Sequence, residues 1–293
     1  MFTDKANIKE LVDNLLERQV TLYHACQLVD FCSYLELGGI PSREKLTSSG
    51  LKFTTFETDE TDRKNDVWDK VFLNFTDFGK TFVDGHGATP NPYGPILLEV
   101  DPRSLLEADD VSITLRSAGS ADFKRENESI STLVEFNKLF VYSKRDENIH
   151  QRKYVKFSSQ LQKDFNNSRA TSPEINCRFK NGLIPSKYIS HIKVDQYDLQ
   201  KTTLLKLVSQ LLKKYKLSIE TSIRYNKTRY KLNDEIAKII SKKTPSLEGL
   251  RGIEGISKNL IIWIDQLEAA NLEYQYVRYA KYLREGTLSY TLE

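Results

Sequence analysis

The sequence has no long hydrophobic run and little cysteine. No stretch of about 18 consecutive apolar residues occurs, so we expect no transmembrane helix. The first residues contain no apolar segment of the secretory type, so we expect no signal peptide and a cytoplasmic location. The three cysteines are an odd number without the spacing of a metal site, which favours reduced thiols. The four histidines are scattered, so we expect no bound metal.

Charge is present in quantity but is unevenly distributed. Residues 1–150 hold 17 basic and 26 acidic side chains, whereas residues 151–293 hold 26 basic and 14 acidic ones. The net charges of these parts are therefore −9 and +12, and the span 201–243 alone carries 12 basic residues against 3 acidic ones. A basic half of this kind is typical of proteins that bind a polyanion, although ordinary helical domains also carry solvated lysine-rich surfaces.

Hydrophobic periodicity divides the chain into two units. In residues 1–197, short apolar runs predict strands at 20–24, 67–75, 93–100, 111–116, 171–177 and 191–194. The polar stretch 41–66 predicts a loop over a cleft. In residues 198–293 the apolar spacing becomes helical, as at Leu204 and Val208, and strand patterns largely vanish. We therefore expect an α+β domain over 1–197, followed by a basic α-helical module over 198–293, the C-terminal module.

The N-terminal unit is organised around the stretch from Thr21 to Arg43. It predicts a short buried strand that ends at Tyr23 and His24, and then a helix that stops at Gly38. A histidine at a strand end can be held rigidly and still face a cleft, although a lone histidine there is more often structural. Glu174, at the start of a later predicted strand, could face the same cleft, although such a glutamate usually faces solvent.

These residues resemble the opening motif of the DarT-like ADP-ribosyltransferases. In that family a strand with an aromatic residue and a histidine precedes a helix that ends in glycine and a turn that ends in Ser-Arg, which Leu22-Tyr-His24 and Gly38-Gly-Ile-Pro-Ser-Arg43 match. Arg63, an aromatic strand at 71–75 and Pro173-Glu-Ile175 continue the order. The resemblance covers residues 20–195. It implies an ADP-ribosyltransferase-like split central β-sheet with flanking helices, NAD as co-substrate and no metal.

The resemblance also implies roles for the matching residues. Glu174 and Arg63 would be catalytic, and His24, Tyr23 and Arg43 would bind NAD, where an arginine suits the pyrophosphate. Transfer of ADP-ribose breaks a glycosidic bond through an oxocarbenium-like transition state. A carboxylate on the ribose 2-hydroxyl stabilises the positive charge that develops there, and Glu174 would supply it. Glu174 could also accept the proton of the nucleophile.

The C-terminal module contains a segment in which cations and tyrosines alternate. Cations can pair with phosphates while aromatic rings stack on unpaired bases, so the segment favours binding of single-stranded nucleic acid. Its residues are Lys213, Lys214, Tyr215, Arg224, Tyr225, Arg229 and Tyr230. Clusters of this kind also occur on ordinary helical surfaces.

Three functions are compatible with the sequence. In the first, which the resemblance implies, the protein ADP-ribosylates bases of single-stranded DNA or RNA. It would then be the toxin of a bacterial toxin–antitoxin or phage-defence system, restrained by a cognate antitoxin. The second keeps the chemistry but transfers ADP-ribose to protein or to water, as an NAD glycohydrolase does. The third is a non-catalytic protein that binds nucleic acid or an antitoxin through a degenerate cleft. No membrane partner is expected.

Overall fold

The chain folds into strands and helices in an α+β arrangement. The computed structural model describes residues 2–77, 91–141, 155–199, 201–224 and 227–290. Its strands are β1 (Leu22–Cys26), β2 (Gly39–Pro41), β3 (Lys70–Asn74), β4 (Ile96–Val100), β5 (Asp110–Thr114), β6 (Ser129–Ile130), β7 (Glu174–Arg178), β8 (Leu183–Pro185), β9 (Ile189–Val194), β10 (Asp198–Leu199), β11 (Thr202–Thr203) and β12 (Glu220–Ile223).

Helices flank these strands and dominate the second half of the chain. They are α1 (Lys5–Glu17), α2 (Leu28–Leu37), α3 (Arg43–Ser49), α4 (Asp59–Lys64), α5 (Arg125–Glu128), α6 (Leu133–Asn137), α7 (Ser158–Phe165), α8 (Leu204–Lys214), α9 (Lys227–Lys242), α10 (Leu247–Arg251), α11 (Lys258–Ala269) and α12 (Glu273–Leu283). A π-helical turn, Arg284–Leu288, follows α12 directly. Among the helices of the described residues, none is long and apolar enough to cross a lipid bilayer.

The main sheet is split near its centre. Its eight strands, among the described residues, run in the order β12-β9-β4-β1-β3-β7-β5-β6. Each central strand is joined to its outer neighbour, β1 to β4 and β3 to β7, along its whole length. Between β1 and β3, however, the register contains one residue pair, Tyr23 opposite Asn74. The strands diverge beyond that pair, and the predicted split sheet with flanking helices is confirmed.

Two short helices occupy a stretch that the sequence predicts as a loop. In the stretch 41–66, the Ser42 hydroxyl accepts a hydrogen bond from the Lys45 amide at 3.2 Å and so begins α3, which ends at the left-handed Gly50 (φ +72°). α4 follows nine residues later. Both helices are short and mostly polar, so their apolar residues are too few to show a helical period.

The C-terminal module adds a strand to the main sheet. β12 pairs in parallel with β9, with Glu220 opposite His191, and α8 forms the crossover between them. The predicted helical character of the module is confirmed, but the sheet continues past residue 197. β12 has four residues and is partly exposed, so it carries no apolar alternation that would reveal it. The boundary between 197 and 198 stays a prediction.

Candidate active site

A cleft of about 400 Å³ lies where the sheet splits. It is lined by side chains of β1, β3 and β7, by the segment that contains α3 and α4, and by the loop that follows β5. Three predicted site residues from β1 and β7 lie in it, namely Tyr23, His24 and Glu174. Arg43 also lines it, so four of the five residues predicted for catalysis and NAD binding come together.

His24 is held in one orientation by both of its ring nitrogens. Nδ1 lies 2.8 Å from the carbonyl oxygen of Phe72, a strand carbonyl that the divergence of β1 and β3 leaves available. Nε2 lies 3.0 Å from the Tyr34 hydroxyl. Burial, with a contribution from the Arg43 cation, lowers the pKa of His24 to about 4. The ring is therefore neutral at ordinary pH, so Nδ1–H donates to Phe72 and Nε2 accepts from Tyr34. A ribose hydroxyl would reach Nε2 by replacing the Tyr34 hydroxyl.

Glu174 is the carboxyl on the other side of the split. It is 5% exposed, and its Oε1 accepts a hydrogen bond of 2.7 Å from the backbone amide of Ala118. Burial raises the pKa of Glu174 to about 8, and the nearby Asp62 carboxylate adds to the rise. Glu174 therefore keeps its proton near neutral pH in the free protein.

One row of residues crosses the split and connects the two sides of the cleft. Tyr23 on β1 lies opposite Asn74 on β3, and Asn74 lies opposite Glu174 on β7. Strands in a sheet are about 5 Å apart, so the backbones of Tyr23 and Glu174 are about 10 Å apart. Burial raises the pKa of Tyr23 to about 12, so this phenol stays neutral. The row thus places a phenol, an amide and a carboxyl along one wall.

Arg43 brings a positive charge to the cleft. Its Nε and Nη2 donate to both oxygens of Asp59, at 3.1 and 2.7 Å, and Nη2 also donates to the Thr54 carbonyl at 2.7 Å. The guanidinium carbon lies 4.7 Å from the Phe53 ring centroid and 5.1 Å from that of Phe56. A phosphate at this site would therefore share the guanidinium with Asp59.

Arg63, the second predicted catalytic residue, is not among the residues that line the cleft. Its side chain is exposed on α4, and its guanidinium carbon stacks 3.6 Å from the centre of the Trp68 ring. Neighbouring residues of a helix point about 100° apart, and here Asp62 is the one that faces the cleft. The catalytic role of Arg63 stays a prediction to which this placement lends no support.

Sequence reasoning missed several residues that line the cleft. Arg116, which ends a predicted strand, lies in it with its guanidinium paired to Glu128 and, at 2.8 Å, to Asp122. Tyr34 and Asp62 also line it. Arg116 alone had a usable signal, namely a cation at the end of a strand. Tyr34 lies within an ordinary helical pattern, and Asp62 lies in the polar stretch that predicts a loop.

The end of the C-terminal module holds one wall of the cleft in place. The Thr287 hydroxyl accepts from the Leu28 amide at 3.0 Å and donates to the Gln27 side chain at 2.8 Å, where α2 begins. The Tyr282 hydroxyl accepts from the Glu57 amide at 2.9 Å, and its ring packs edge-on against Phe56, which lines the cleft. The module therefore supports the wall between α3 and α4.

The residues predicted to bind nucleic acid lie elsewhere. Lys213, Lys214 and Tyr215 lie at the end of α8, and Lys213 lines a separate hollow beside β12. The Tyr230 hydroxyl is 3.5 Å from a carboxylate oxygen of Asp198. Of these four residues, none lines the cleft. Arg229 lies in α9, and Tyr225 lies outside the described residues.

Arg224 differs from its prediction because its side chain is buried. Its guanidinium is 1% exposed and pairs with Asp77, with one bond of 3.1 Å, and with Asp195 at 3.4 Å. These two carboxylates neutralise the charge inside the protein, so Arg224 presents no cation to solvent. These two ion pairs hold the end of β12 to neighbouring segments, so the Arg224 side chain does not face a phosphate outside the protein.

The cleft as a whole suits chemistry at a sugar carbon. A buried carboxyl, a neutral histidine and a phenol line it together with two guanidinium groups. Among the described residues, no group of three or more His, Cys, Asp or Glu side chains could hold a metal ion. The cations would suit a phosphate-bearing ligand, and the carboxyl would suit a hydroxyl next to a carbon that becomes positively charged.

Comparison with known proteins gives matches among solved structures. No family model and no curated protein matches the chain. The structural matches include Thermus sp. 2.9 DarT in complex with ADP-ribosylated ssDNA, with a TM-score of 0.42 and 12% identity over 70% of this chain and 94% of that one. The same protein in complex with NAD+ and with carba-NAD+ matches with TM-scores of 0.40 and 0.39, each at 12% identity over 70% of this chain and 95% of that one. They name the same kind of protein as the sequence resemblance does.

Proposed function

We propose that this protein is an NAD-dependent mono-ADP-ribosyltransferase that modifies bases of single-stranded nucleic acid. One observation carries the proposal, namely that Glu174 and His24, from opposite sides of the split sheet, line one cleft. A degenerate, non-catalytic cleft would have no need of a buried carboxyl with a strongly raised pKa, which is costly to keep.

The residues of the cleft fit NAD as a co-substrate. Arg43 and Arg116 bring the positive charge that a pyrophosphate requires, and Phe56 and Tyr93 supply aromatic surface. Polar groups that converge in a largely apolar cleft of this size are typical of cofactor sites. When bound, NAD supplies an ADP-ribosyl group and a nicotinamide leaving group.

Glu174 would act on the ribose whose carbon undergoes transfer. With its raised pKa, the carboxyl can both donate to and accept from a ribose hydroxyl. Positive charge that develops on the sugar would lower the pKa of this carboxyl, which would release its proton to solvent and act as the carboxylate. Glu174 would therefore bind the transition state more strongly than the ground state, which is the requirement for catalysis. His24 would bind a ribose hydroxyl of NAD through Nε2, in place of the Tyr34 hydroxyl that Nε2 contacts in the free protein.

Two features of the sequence support the acceptor and the biological role. The net charge of +12 in residues 151–293 suits a polyanion, and Lys213 and Lys214 are exposed cations of that part. The resemblance to DarT-like proteins supports a toxin of a toxin–antitoxin or phage-defence system with a cognate antitoxin. The acceptor would be DNA or RNA.

The proposal is tested with NAD labelled on the adenine side. The purified protein is incubated separately with single-stranded DNA, single-stranded RNA and total cell protein, and both label transfer and nicotinamide release are measured. Glu174→Gln serves as the inactive variant, and Glu60→Gln, which changes an exposed glutamate of α4, is the matched control.

The expected result is label in one nucleic acid, lost in Glu174→Gln and kept in Glu60→Gln. Label in protein alone would replace the nucleic-acid acceptor by a protein one. Nicotinamide release without label transfer would indicate a glycohydrolase. The absence of both label and nicotinamide would refute the enzymatic function.

A further inference from the structure

Asp62 is a carboxyl in the cleft to which the roles above assign nothing. It is 7% exposed, and none of the described residues donates a hydrogen bond to its side chain or forms an ion pair with it. The two other aspartates of the cleft have partners. Asp30 accepts from the Thr54 amide at 2.7 Å, and Asp59 pairs with Arg43 at 2.7 Å. A largely buried carboxyl without a partner destabilises a fold, and one that lines a cleft is a candidate functional group.

The position of Asp62 brings it to the loop that holds Glu174. The amide of Ala118 donates to Glu174, and the next residue, Gly119, lies so close to Asp62 that an added Cβ there would overlap Oδ1. The side-chain amide of Asn65 fixes this loop to the end of α4 by donating to the carbonyls of Ala118, at 2.6 Å, and Ser120, at 3.1 Å. Two carboxyls therefore approach consecutive residues of one loop, and both line the cleft.

We infer that Asp62 is the general base that accepts the proton of the acceptor nucleophile. This role rests on the ADP-ribosyl transfer proposed above. In that step the lone pair of an acceptor nitrogen or oxygen forms a bond to C1 of the nicotinamide ribose. The bond from that carbon to the nicotinamide nitrogen breaks, and its electron pair leaves with the nicotinamide. The proton of the acceptor passes to the Asp62 carboxylate, while Glu174 remains with the ribose hydroxyl.

The charges around Asp62 agree with its role as the base and with the role of Glu174 at the ribose hydroxyl. Burial and the neighbouring Asp59 raise the pKa of Asp62 to about 7, and the Arg43 cation opposes the rise. Glu174 on β7 and Tyr93 ahead of β4 also interact electrostatically with Asp62. A base is most effective when its pKa lies near the working pH, because it is then both ionised and basic. Glu174, with a pKa of about 8, stays largely protonated at pH 7.

The test combines activity with NAD binding. Asp62→Asn, Asp62→Glu, Gly119→Ala and the control Glu60→Gln are compared with the wild-type chain. The transfer rate is measured across pH with pooled single-stranded DNA and RNA of random sequence, and the NAD dissociation constant is measured by calorimetry. Gly119→Ala keeps the Asp62 carboxyl but displaces it, because the new Cβ would occupy the position of Oδ1.

We expect Asp62→Asn to lower the turnover number by about 10²-fold to 10⁴-fold and to remove the acidic limb of the pH profile near pH 7. The NAD dissociation constant should change by less than about threefold, because Asp62 acts on the acceptor rather than on NAD. Asp62→Glu should restore part of the rate, Gly119→Ala should lower it, and Glu60→Gln should leave it unchanged.

Two results would overturn the role of Asp62, and they are distinguishable. If wild-type protein transfers ADP-ribose and Asp62→Asn does so at the same rate with the same pH profile, the role of Asp62 is refuted and the proposed function stands. If wild-type protein neither releases nicotinamide nor labels any acceptor, the proposed function and the role of Asp62 are refuted together.

Discussion

Replacing Glu174 by glutamine should stabilise the folded state, and most strongly at high pH. The folded protein holds the proton of this carboxyl up to a pKa of about 8, whereas the unfolded chain releases it near the ordinary value of 4.5. Stability is therefore lost as the pH rises from 4.5 to 8. At about 1.4 kcal/mol for each pH unit, the loss reaches about 5 kcal/mol above pH 8. A glutamine does not ionise, and its side-chain oxygen can still accept from Ala118.

The assay is urea unfolding of both proteins, followed by circular dichroism at about pH 5, 7 and 9. The gain from Glu174→Gln should be under about 1 kcal/mol at pH 5, about 3 kcal/mol at pH 7 and about 5 kcal/mol at pH 9. Glu60→Gln, at an exposed position, should give no such trend. A gain that is the same at all three pH values would refute the conclusion that Glu174 is a desolvated carboxyl. Loss of transfer together with gain of stability is the trade-off typical of active sites.

Three other changes test separate parts of the structure. The wild-type protein should lose about 3 kcal/mol of stability between pH 6.5 and 4, because the unfolded chain takes up a proton at His24 in this range and the folded protein does not, and His24→Gln should abolish this loss. Urea unfolding of both proteins at the two pH values measures it, and an equal change of stability from His24→Gln at both would contradict the neutral ring. Arg43→Lys should raise the KM for NAD and lower the free energy of unfolding by about 1–3 kcal/mol, because lysine cannot make the paired bonds to Asp59. Steady-state kinetics and urea unfolding measure the two effects, and an unchanged KM would exclude Arg43 from NAD binding. Gly286→Ala should lower the free energy of unfolding by about 1–3 kcal/mol and so lower the melting temperature, because the new Cβ would lie 2.6 Å from atoms of Gln27 and Thr54. Calorimetry measures it, and an unchanged melting temperature would show that the C-terminal module does not pack against Gln27.

Most of the fold could be predicted because its signals are local. The strand with Tyr23 and His24 and the helix that ends at Gly38 follow from short apolar patterns and a left-handed glycine (φ +80°). The helices of the C-terminal module that run for eleven residues or more are long enough to show their period, as in α8. β12 and the short helices α3 and α4 escape such reasoning, because a few residues do not establish a period.

Much less of the candidate site could be predicted from the pattern of residues. The order of motifs in the DarT-like family pointed to Arg63, yet in the structure Arg63 stacks on Trp68 and its neighbour Asp62 faces the cleft. Composition favoured Arg224 as a nucleic-acid contact, yet its side chain is buried and pairs with two carboxylates that are distant in sequence. Adjacent positions on a helix and isolated cations look alike until their surroundings are known.

The sequence by itself determined the class of fold and the basic C-terminal half, and its resemblance to DarT-like proteins implied Tyr23, His24 and Glu174 as site residues. Apolar period, capping and charge are properties of neighbouring residues, so they can be read along the chain. Only the tertiary structure decided that β1 and β3 separate after a single residue pair, and that Thr287 fastens the start of α2 from 259 residues away. Contacts between distant segments determine which side chains lose water. Desolvation is in turn the first cause of the raised pKa values of Asp62 and Glu174.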